Sequence, residues 1–278
     1  MSRYLPDLER IAREAGALLM GHFARHVTIE YKGDVDLVTV ADRSSEELIV
    51  TRLHERWPEH GIVAEEGTRS DTGAEYRWYV DPLDGTTNFA HGYPVFCISI
   101  ALVRQEDDQL EVGLLYDPTR DEMFTAEHGA GATLNGKPMY VSKTTRLAES
   151  LLGTGFPSHK RHQNPNIHFY HQLTLRSHGV RRAGSAALDL ACVACGRYDG
   201  YWEFRLNPWD TAAGVLLVEE AGGKVTRFDG KPFRLDSREV LASNGLIHDE
   251  LIRNFEEIFS GRGLEELPSV PEYVKTRE

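Results

Sequence analysis

The segment "WYVDPLDGTTNFAHGYP", residues 78–94, ends a hydrophobic run with two aspartates, Asp81 and Asp84, followed at once by Gly85, Thr86 and Thr87. Two carboxylates this close repel one another unless a cation lies between them. Three further acidic clusters stand elsewhere: "DLVTVAD" with Asp36 and Asp42, "AEEG" with Glu65 and Glu66, and "NPWDTAAG" with Asp210. Each ends a strand-like or loop segment, or opens a helix-like one. Gathered by a fold, they form a wall of hard oxygen ligands suited to magnesium, which takes carboxylates and keeps waters. Pro82 restrains the turn between Asp81 and Asp84. Gly85 and Thr86 can turn backbone N–H groups toward an anion at an incipient helix, and the Thr86 hydroxyl can orient a water. Asp210 taken alone has a simpler explanation as a helix N-cap.

The elements around these clusters follow from periodicity. Leu8, Ile11, Ala15, Leu18 and Leu19 share one face of a first helix, and Leu48, Ile49 and Leu53 one face of a second that stops near Pro58 and Gly61. "GIVAEE", "YRWYVDP", "VFCISIALVRQ", "LEVGLLYDPTRDEMFTAEHG" and "ATLNGKPMYVS" then read as a largely antiparallel sheet, with Asn135–Gly136 as a hairpin turn. The second half alternates: strands at "ESLLGTGF", "GVRRAGS", "YDGYWEF", "KVTRFDG" and "EVLASNG", and helices at "NPNIHFYHQLTLRSH", "AALDLACVACG" and "PWDTAAGVLLVEEAGG". A partition into residues 1–145 and 146–278 follows, packed as one unit because no linker separates them. No Gly-x-Gly-x-x-Gly fingerprint follows a first strand, so a dinucleotide fold is not expected.

Composition bounds the partners. The 278 residues carry 43 acidic and 31 basic side chains, a net charge of -12. That balance argues against a broad nucleic-acid surface or attraction to an anionic membrane, though not against a phosphorylated substrate held through cations. Three cysteines, Cys97, Cys192 and Cys195, are too few for a disulfide scaffold, and "CVAC" lies in a helix-like run where packing explains it. The N-terminus is charged too early for a signal peptide and no apolar run spans a membrane, so a cytoplasmic location is expected. The five histidines of "HKRHQNPNIHFYHQLTLRSH" are irregularly spaced and read as a solvated helix and loop rather than a zinc site.

In order, "DLVTVAD", "GIVAEEG", "WYVDPLDGTTNFAHG", "GSAALDLACVACGRYDGYWE" and "NPWDTAAGVLLVEEAGG" make nearly the whole chain resemble the inositol monophosphatase family of lithium-sensitive, magnesium-dependent phosphatases. The resemblance implies an α+β fold layered αβαβα, a homodimer, and lithium as an inhibitor. It implies that Glu65, Asp81 and the carbonyl of Leu83 hold a first magnesium ion, that Asp81, Asp84 and Asp210 hold a second, and that Glu65 helps hold a weaker third through water. It implies further that Thr86 and Asp42 activate the attacking water and that Gly85 and Thr86 bind phosphate. Lys32 and Asp36 match a mobile loop beside the site.

For the substrate, the resemblance implies contacts from Gly184, Ser185, Ala186 and Glu203, with Asp189 nearby. Arg205 departs from the small or aliphatic residue of some relatives, and serves either an additional polar group on the substrate or a surface or dimer salt bridge. The expected reaction is magnesium-dependent hydrolysis of inositol monophosphate without a phosphoenzyme. Histidinol phosphate, sugar phosphates, nucleotide phosphates and fructose bisphosphate are the alternative substrates on this scaffold. A dimeric RNA-processing or transcription-associated scaffold is the non-enzymatic alternative.

Overall fold

The computed structural model describes residues 3–24, 29–31, 37–70, 73–156 and 164–266, with backbone alone at 29–31 and 37–39. Lys32, Asp36, His159 and His162 lie outside the described residues. The chain opens with α1 (Leu5–Phe23), a two-stranded ribbon of β1 (Ile29–Tyr31) and β2 (Leu37–Thr39), and α2 (Val40–Arg56). Eight strands follow: β3 (Gly61–Ala64), β4 (Arg69–Ser70), β5 (Tyr76–Asp84), β6 (Cys97–Arg104), β7 (Gln109–Asp117), β8 (Glu122–Glu127), β9 (Gly131–Leu134) and β10 (Lys137–Pro138). They form one sheet in the order β10-β9-β8-β7-β6-β5-β3-β4, with the short helix α3 (Thr86–Ala90) after β5. Asn135 and Gly136 both take positive φ, the backbone a two-residue turn between β9 and β10 requires.

The second sheet, in the order β12-β11-β13-β15-β14, is built from β11 (Leu151–Thr154), β12 (Gly179–Arg181), β13 (Gly200–Phe204), β14 (Lys224–Thr226) and β15 (Glu239–Ser243). Its helices are α4 (Asn166–Arg176), α5 (Ala186–Ala194), α6 (Pro208–Glu220) and α7 (His248–Ser260). Strand alternation sorts the apolar side chains into three cores. Ile98, Ile100 and Leu102 of β6 face Leu8, Ile11 and Leu19 of α1 with Ile49 and Leu53 of α2. Cys97, Ala101 and Val103 face the opposite way, into a core shared with α5, α6 and Tyr201, Val240 and Ala242 of the second sheet. The outer face of that sheet, including Trp202 and Leu241, packs on Phe169 and Leu173 of α4 and on Leu251, Phe255 and Ile258 of α7. The result is five layers, αβαβα, as the resemblance implied. With a sheet on either side, α6 is apolar nearly all round, since Thr211 through Val218 are all buried.

Two local features depart from the sequence reading, and one refines its largely antiparallel sheet. The helix α7 was not anticipated, although Leu251, Phe255 and Ile258 recur at helical spacing. The first sheet is not wholly antiparallel, for β3 runs parallel to β5. And β5 does not stop at Asp81: it continues to Asp84 through a register shift against β6, the irregularity that lets a strand carry Pro82.

A buried histidine pins the far end of the molecule. His248 Nε2 lies 2.8 Å from Thr226 Oγ1, and Nδ1 lies 2.8 Å from Ser243 Oγ. Because the Thr226 hydroxyl donates to the Arg227 carbonyl, Nε2 must carry the proton and Nδ1 must accept, so the ring is satisfied when neutral. Burial, with Lys224 acting in the same direction, pushes its pKa down to about 4. An unfolded chain takes up this proton near pH 6.5, whereas the folded one resists it, so the folded state loses stability as the pH falls from there toward 4. Denaturant unfolding at pH 7 and pH 5 checks this. His248→Gln should be weaker at pH 7 but should lose about 2 kcal/mol less than the wild type across the interval, since each tenfold difference in proton affinity between the two states is worth roughly 1.4 kcal/mol. Equal losses would place the acid sensitivity elsewhere.

Candidate active site

The parallel pairing of β3 and β5 sets Ala64 beside Val80, so the residues that follow, Glu65 just past β3 and Asp81 within β5, come side by side at the same end of the sheet. The Glu65 N–H donates to the Val80 carbonyl at 3.1 Å. The turn after Glu65 is held from α2, where the Glu46 carboxylate accepts from Glu66 N at 2.7 Å, Thr68 N at 3.0 Å and Thr68 Oγ1 at 2.6 Å. Asp81, only 2% exposed, accepts from Leu83 N at 2.9 Å, and Ser45 of α2 donates to the Pro82 carbonyl at 3.0 Å. Gly85 then takes φ 100°, and a Cβ there would stand 2.8 Å from the Val95 carbonyl oxygen, so only glycine opens α3 this way. Thr86 Oγ1 lies 3.0 Å from Asp42 Oδ1 and 3.1 Å from the Leu83 carbonyl oxygen.

The second half of the chain closes on this corner from two helix N-termini. Asp84 accepts from Ser185 Oγ at 2.6 Å and from Ala187 N at 2.7 Å, so its charge faces the positive end of α5. Asn88 of α3 donates to the Ala183 carbonyl at 2.9 Å and to the Val95 carbonyl at 2.7 Å, tying the α3 segment to the loop that carries Gly184. Asp210 accepts from the Asn207 N–H at 2.7 Å. It stands at the third position of α6 and not at the N-cap, which is Asn207, so it is the returning half of a capping box. Ser99 of β6 donates to the Trp209 carbonyl at 3.0 Å, and the Arg69 guanidinium lies 5.0 Å from the Trp209 ring, which fixes where α6 begins.

The carboxyl groups act on one another. Asp81 is pushed well above its ordinary pKa, first by burial and then by Glu65, Asp84 and Asp210. Burial also raises Asp84, against the lowering effect of Ser185 and Ala187. Asp210 is raised to about 7 by burial, with Asp84 and Glu203 adding to it and Asn207 opposing. Each aspartate turns an oxygen to a donor of its own, and among the described residues no three acidic, histidine or cysteine side chains close on a single point. Asp81 Oδ2 and Asp210 Oδ1 take no hydrogen bond among the described residues. The donor set is nonetheless all oxygen and mutually repelling, with Asp81 buried and Glu65, Asp84 and Asp210 half-buried, which suits a hard divalent cation and no soft one.

Glu203 of β13 is buried and within electrostatic reach of Asp84 and Asp210; burial brings its pKa to about 7. Gly184, at φ 88°, and Ala186 flank Ser185 at the start of α5. The Ser185 hydroxyl is turned to Asp84. Arg205 stands exposed at positive φ just past β13, and among the described residues its side chain makes no ion pair within the chain. His91 is exposed at the end of α3, while burial pushes the Cys192 thiol up to about 12, in keeping with a packing role for that cysteine. The sequence reading missed Glu46, Asn88 and Tyr201. Glu46 and Asn88 act across the chain, through contacts that no local spacing records, whereas Tyr201 acts on Glu203 two residues along the same strand, a spacing the sequence does carry.

The inositol monophosphatase family model matches residues 3–260. An inositol-1-monophosphatase of Synechocystis sp. is 48% identical over 240 residues, covering 85% of this chain and 83% of that protein. Nus factor SuhB of Pseudomonas aeruginosa is 45% identical over 244 residues, covering 84% and 89%. The solved inositol monophosphatase from Anabaena (Nostoc) superposes with a TM-score of 0.82 at 45% identity, over 91% of this chain and 95% of that one. With a family match over nearly its whole length and the five-layer fold of its relatives, the chain is a phosphatase of the inositol monophosphatase family.

Proposed function

We propose that the chain hydrolyses inositol monophosphate to inositol and inorganic phosphate, using magnesium held by Glu65, Asp81, the Leu83 carbonyl, Asp84 and Asp210. The observation that carries this reading is the buried Asp81 with three carboxylates acting on it, beside the Thr86–Asp42 pair at 3.0 Å. When bound, magnesium supplies positive charge at the phosphate oxygens and lowers the pKa of a water.

The chain's own groups do the rest. The single proton of the Thr86 hydroxyl is taken up by Asp42 or by the Leu83 carbonyl, so Oγ1 offers lone pairs and can hold a water only through that water's O–H. The oxygen lone pair of such a water is left free for phosphorus. The N–H groups of Gly85 and Thr86, in the first turn of α3, have no intrahelical acceptor and are suited to phosphate oxygens. Glu203 accepts from ring hydroxyls, and the loop at Gly184 and Ala186 borders the ring. Ser185 serves the site by orienting Asp84, and the unpaired Arg205 faces polar groups on larger substrates.

The similarity to a protein named Nus factor SuhB favours, as a second reading, a transcription-associated scaffold. A pull-down from nuclease-treated lysate that recovers no transcription component would end that second reading.

A phosphate-release panel with inositol 1-phosphate, histidinol phosphate, fructose 1,6-bisphosphate and nucleotide phosphates, each with magnesium, chelator and lithium, tests the main one. We expect magnesium-dependent, lithium-inhibited turnover that is fastest on inositol 1-phosphate. A preference for histidinol phosphate would replace the substrate, and no magnesium-dependent turnover at all would sink the assignment. Asp84→Asn and Asp210→Asn should each lower kcat at least about 100-fold, the scale of losing a preorganised electrostatic contact, with near wild-type unfolding. Normal activity of either variant at limiting magnesium would remove that residue from the ligand set. Asp81→Asn removes a carboxyl group whose ionisation the fold opposes and the unfolded chain permits, so in chelator its Tm should rise by roughly 2–4 °C for each kcal/mol relieved, while the extra stabilisation that magnesium gives the wild type disappears. An unchanged Tm in chelator would mean the carboxylates do not strain the cation-free fold.

A further inference from the structure

Three elements converge on the carboxyl group of Glu203. Tyr201 lies two residues earlier on β13 and so on the same face of the strand, and its hydroxyl donates to Glu203 Oε2 at 2.5 Å. Tyr201 is fully buried. The parallel register of β11 with β13, Gly153 beside Tyr201 and Thr154 beside Trp202, carries Gly155 up to Glu203. A Cβ on Gly155 would collide with Cδ and both oxygens of that carboxyl group. Gly155 is itself held by Asn166 of α4, whose amide donates to the Gly155 carbonyl at 2.6 Å and to Thr154 Oγ1 at 2.9 Å and accepts from Trp202 Nε1 at 2.6 Å. The Thr154 hydroxyl in turn donates to the Trp202 carbonyl at 2.7 Å. The carboxyl group thus lies in a slot with a bare backbone on one side and a phenol on the other.

We propose that Tyr201 is the positioning residue, with Gly155 as the floor of the slot, that aims Glu203 at substrate hydroxyls and so gives the site its preference for polyol monophosphates over phosphates that lack ring hydroxyls. The inference rests on the reading of Glu203 as a substrate contact. The phenol has one proton and gives it to Oε2, which fixes the carboxyl plane and leaves Oε1 as the acceptor for substrate. It also favours the ionised form that can accept two hydroxyls. The other charged groups that act on Glu203 are Asp84, which disfavours its charge, and Arg182, which favours it; Glu203 in turn raises Asp189 and Asp210. Tyr201 is the neighbour that lowers the Glu203 pKa most, against burial.

The test compares KM and kcat for inositol 1-phosphate and for p-nitrophenyl phosphate, which has no ring hydroxyl, across pH 6–9 in the wild type, Tyr201→Phe, Gly155→Ala, Glu203→Gln and Tyr201→Phe/Glu203→Gln. Tyr201→Phe keeps the ring that fills the core, and Gly155→Ala keeps the phenol, so the two perturb the carboxylate by independent routes. Each should raise KM for inositol 1-phosphate about 5–10-fold, the scale of one misplaced hydrogen bond. The expected kcat stays within about twofold, as does KM for p-nitrophenyl phosphate, because only binding of the hydroxyls is lost. In Tyr201→Phe the rise of KM at low pH should begin at higher pH than in the wild type. The double variant should bind no worse than Glu203→Gln, because Tyr201 acts through Glu203. If Glu203→Gln weakens inositol 1-phosphate but Tyr201→Phe and Gly155→Ala do not, or if Tyr201→Phe adds its full effect to Glu203→Gln, the inference falls and the role of Glu203 stands. If Glu203→Gln leaves KM unchanged, both fall.

Discussion

Asp81 is buried at the end of β5 with Glu65, Asp84 and Asp210 all acting to keep it uncharged, and a carboxyl group in that position is costly to ionise. The surrounding elements are arranged around that cost. The hydrogen bond from Leu83 N, the bulge that admits Pro82, and the Ser45 contact to the Pro82 carbonyl hold the aspartate where repulsion would otherwise displace it. The compensating apolar burial lies on both faces of the first sheet, in the cores beneath α1 and α2 and beneath α5 and α6. A strand flanked on two sides by packed helices can keep one such residue near its end without yielding.

Gathering the other carboxylates depends on chain direction. Glu65 reaches Asp81 because β3 is parallel to β5; an antiparallel neighbour would have carried it to the opposite end of the sheet. Asp84 and Asp210 meet the same corner through helix N-termini, where unpaired N–H groups hold a carboxylate more cheaply than apolar surroundings can. Asp210 is therefore both a capping-box residue and a member of the site. The capping reading and the site reading of "NPWDTAAG" are compatible, since Asn207 takes one oxygen of Asp210 and leaves the other.

How much of this was legible depended on whether the signal was local. The run from Asp81 to Thr87 showed its chemistry in its spacing, and most strands and helices announced themselves through alternation, helical spacing or turn residues. The parallel β3–β5 pair was not legible, because a short strand reads the same in either direction. The helix α7 carried a clear apolar stripe, Leu251, Phe255 and Ile258, but held no chemical motif to draw attention to it. Glu46, a buried glutamate in the middle of α2, looked like an ordinary helix-face charge; only the fold shows it gripping the turn after Glu65. The resemblance implied that the backbone around Ser185 approaches the substrate; that its hydroxyl turns to Asp84 is visible only in the fold.

Two buried carboxylates in this protein illustrate opposite uses of one penalty. Asp81 has like charges for neighbours and one backbone donor, so its ionisation is favoured only when positive charge arrives. Glu203 has a phenol donor and an arginine acting in its favour, which hold it near the point where charge is gained or lost at neutral pH. A group held there keeps accepting hydrogen bonds without demanding a cation. The first arrangement suits chemistry at a phosphate, and the second suits discrimination among neutral hydroxyls. Because β13 reaches the corner from the second sheet and β5 from the first, the surroundings of Glu203 can change while the packing around Asp81 stays in place.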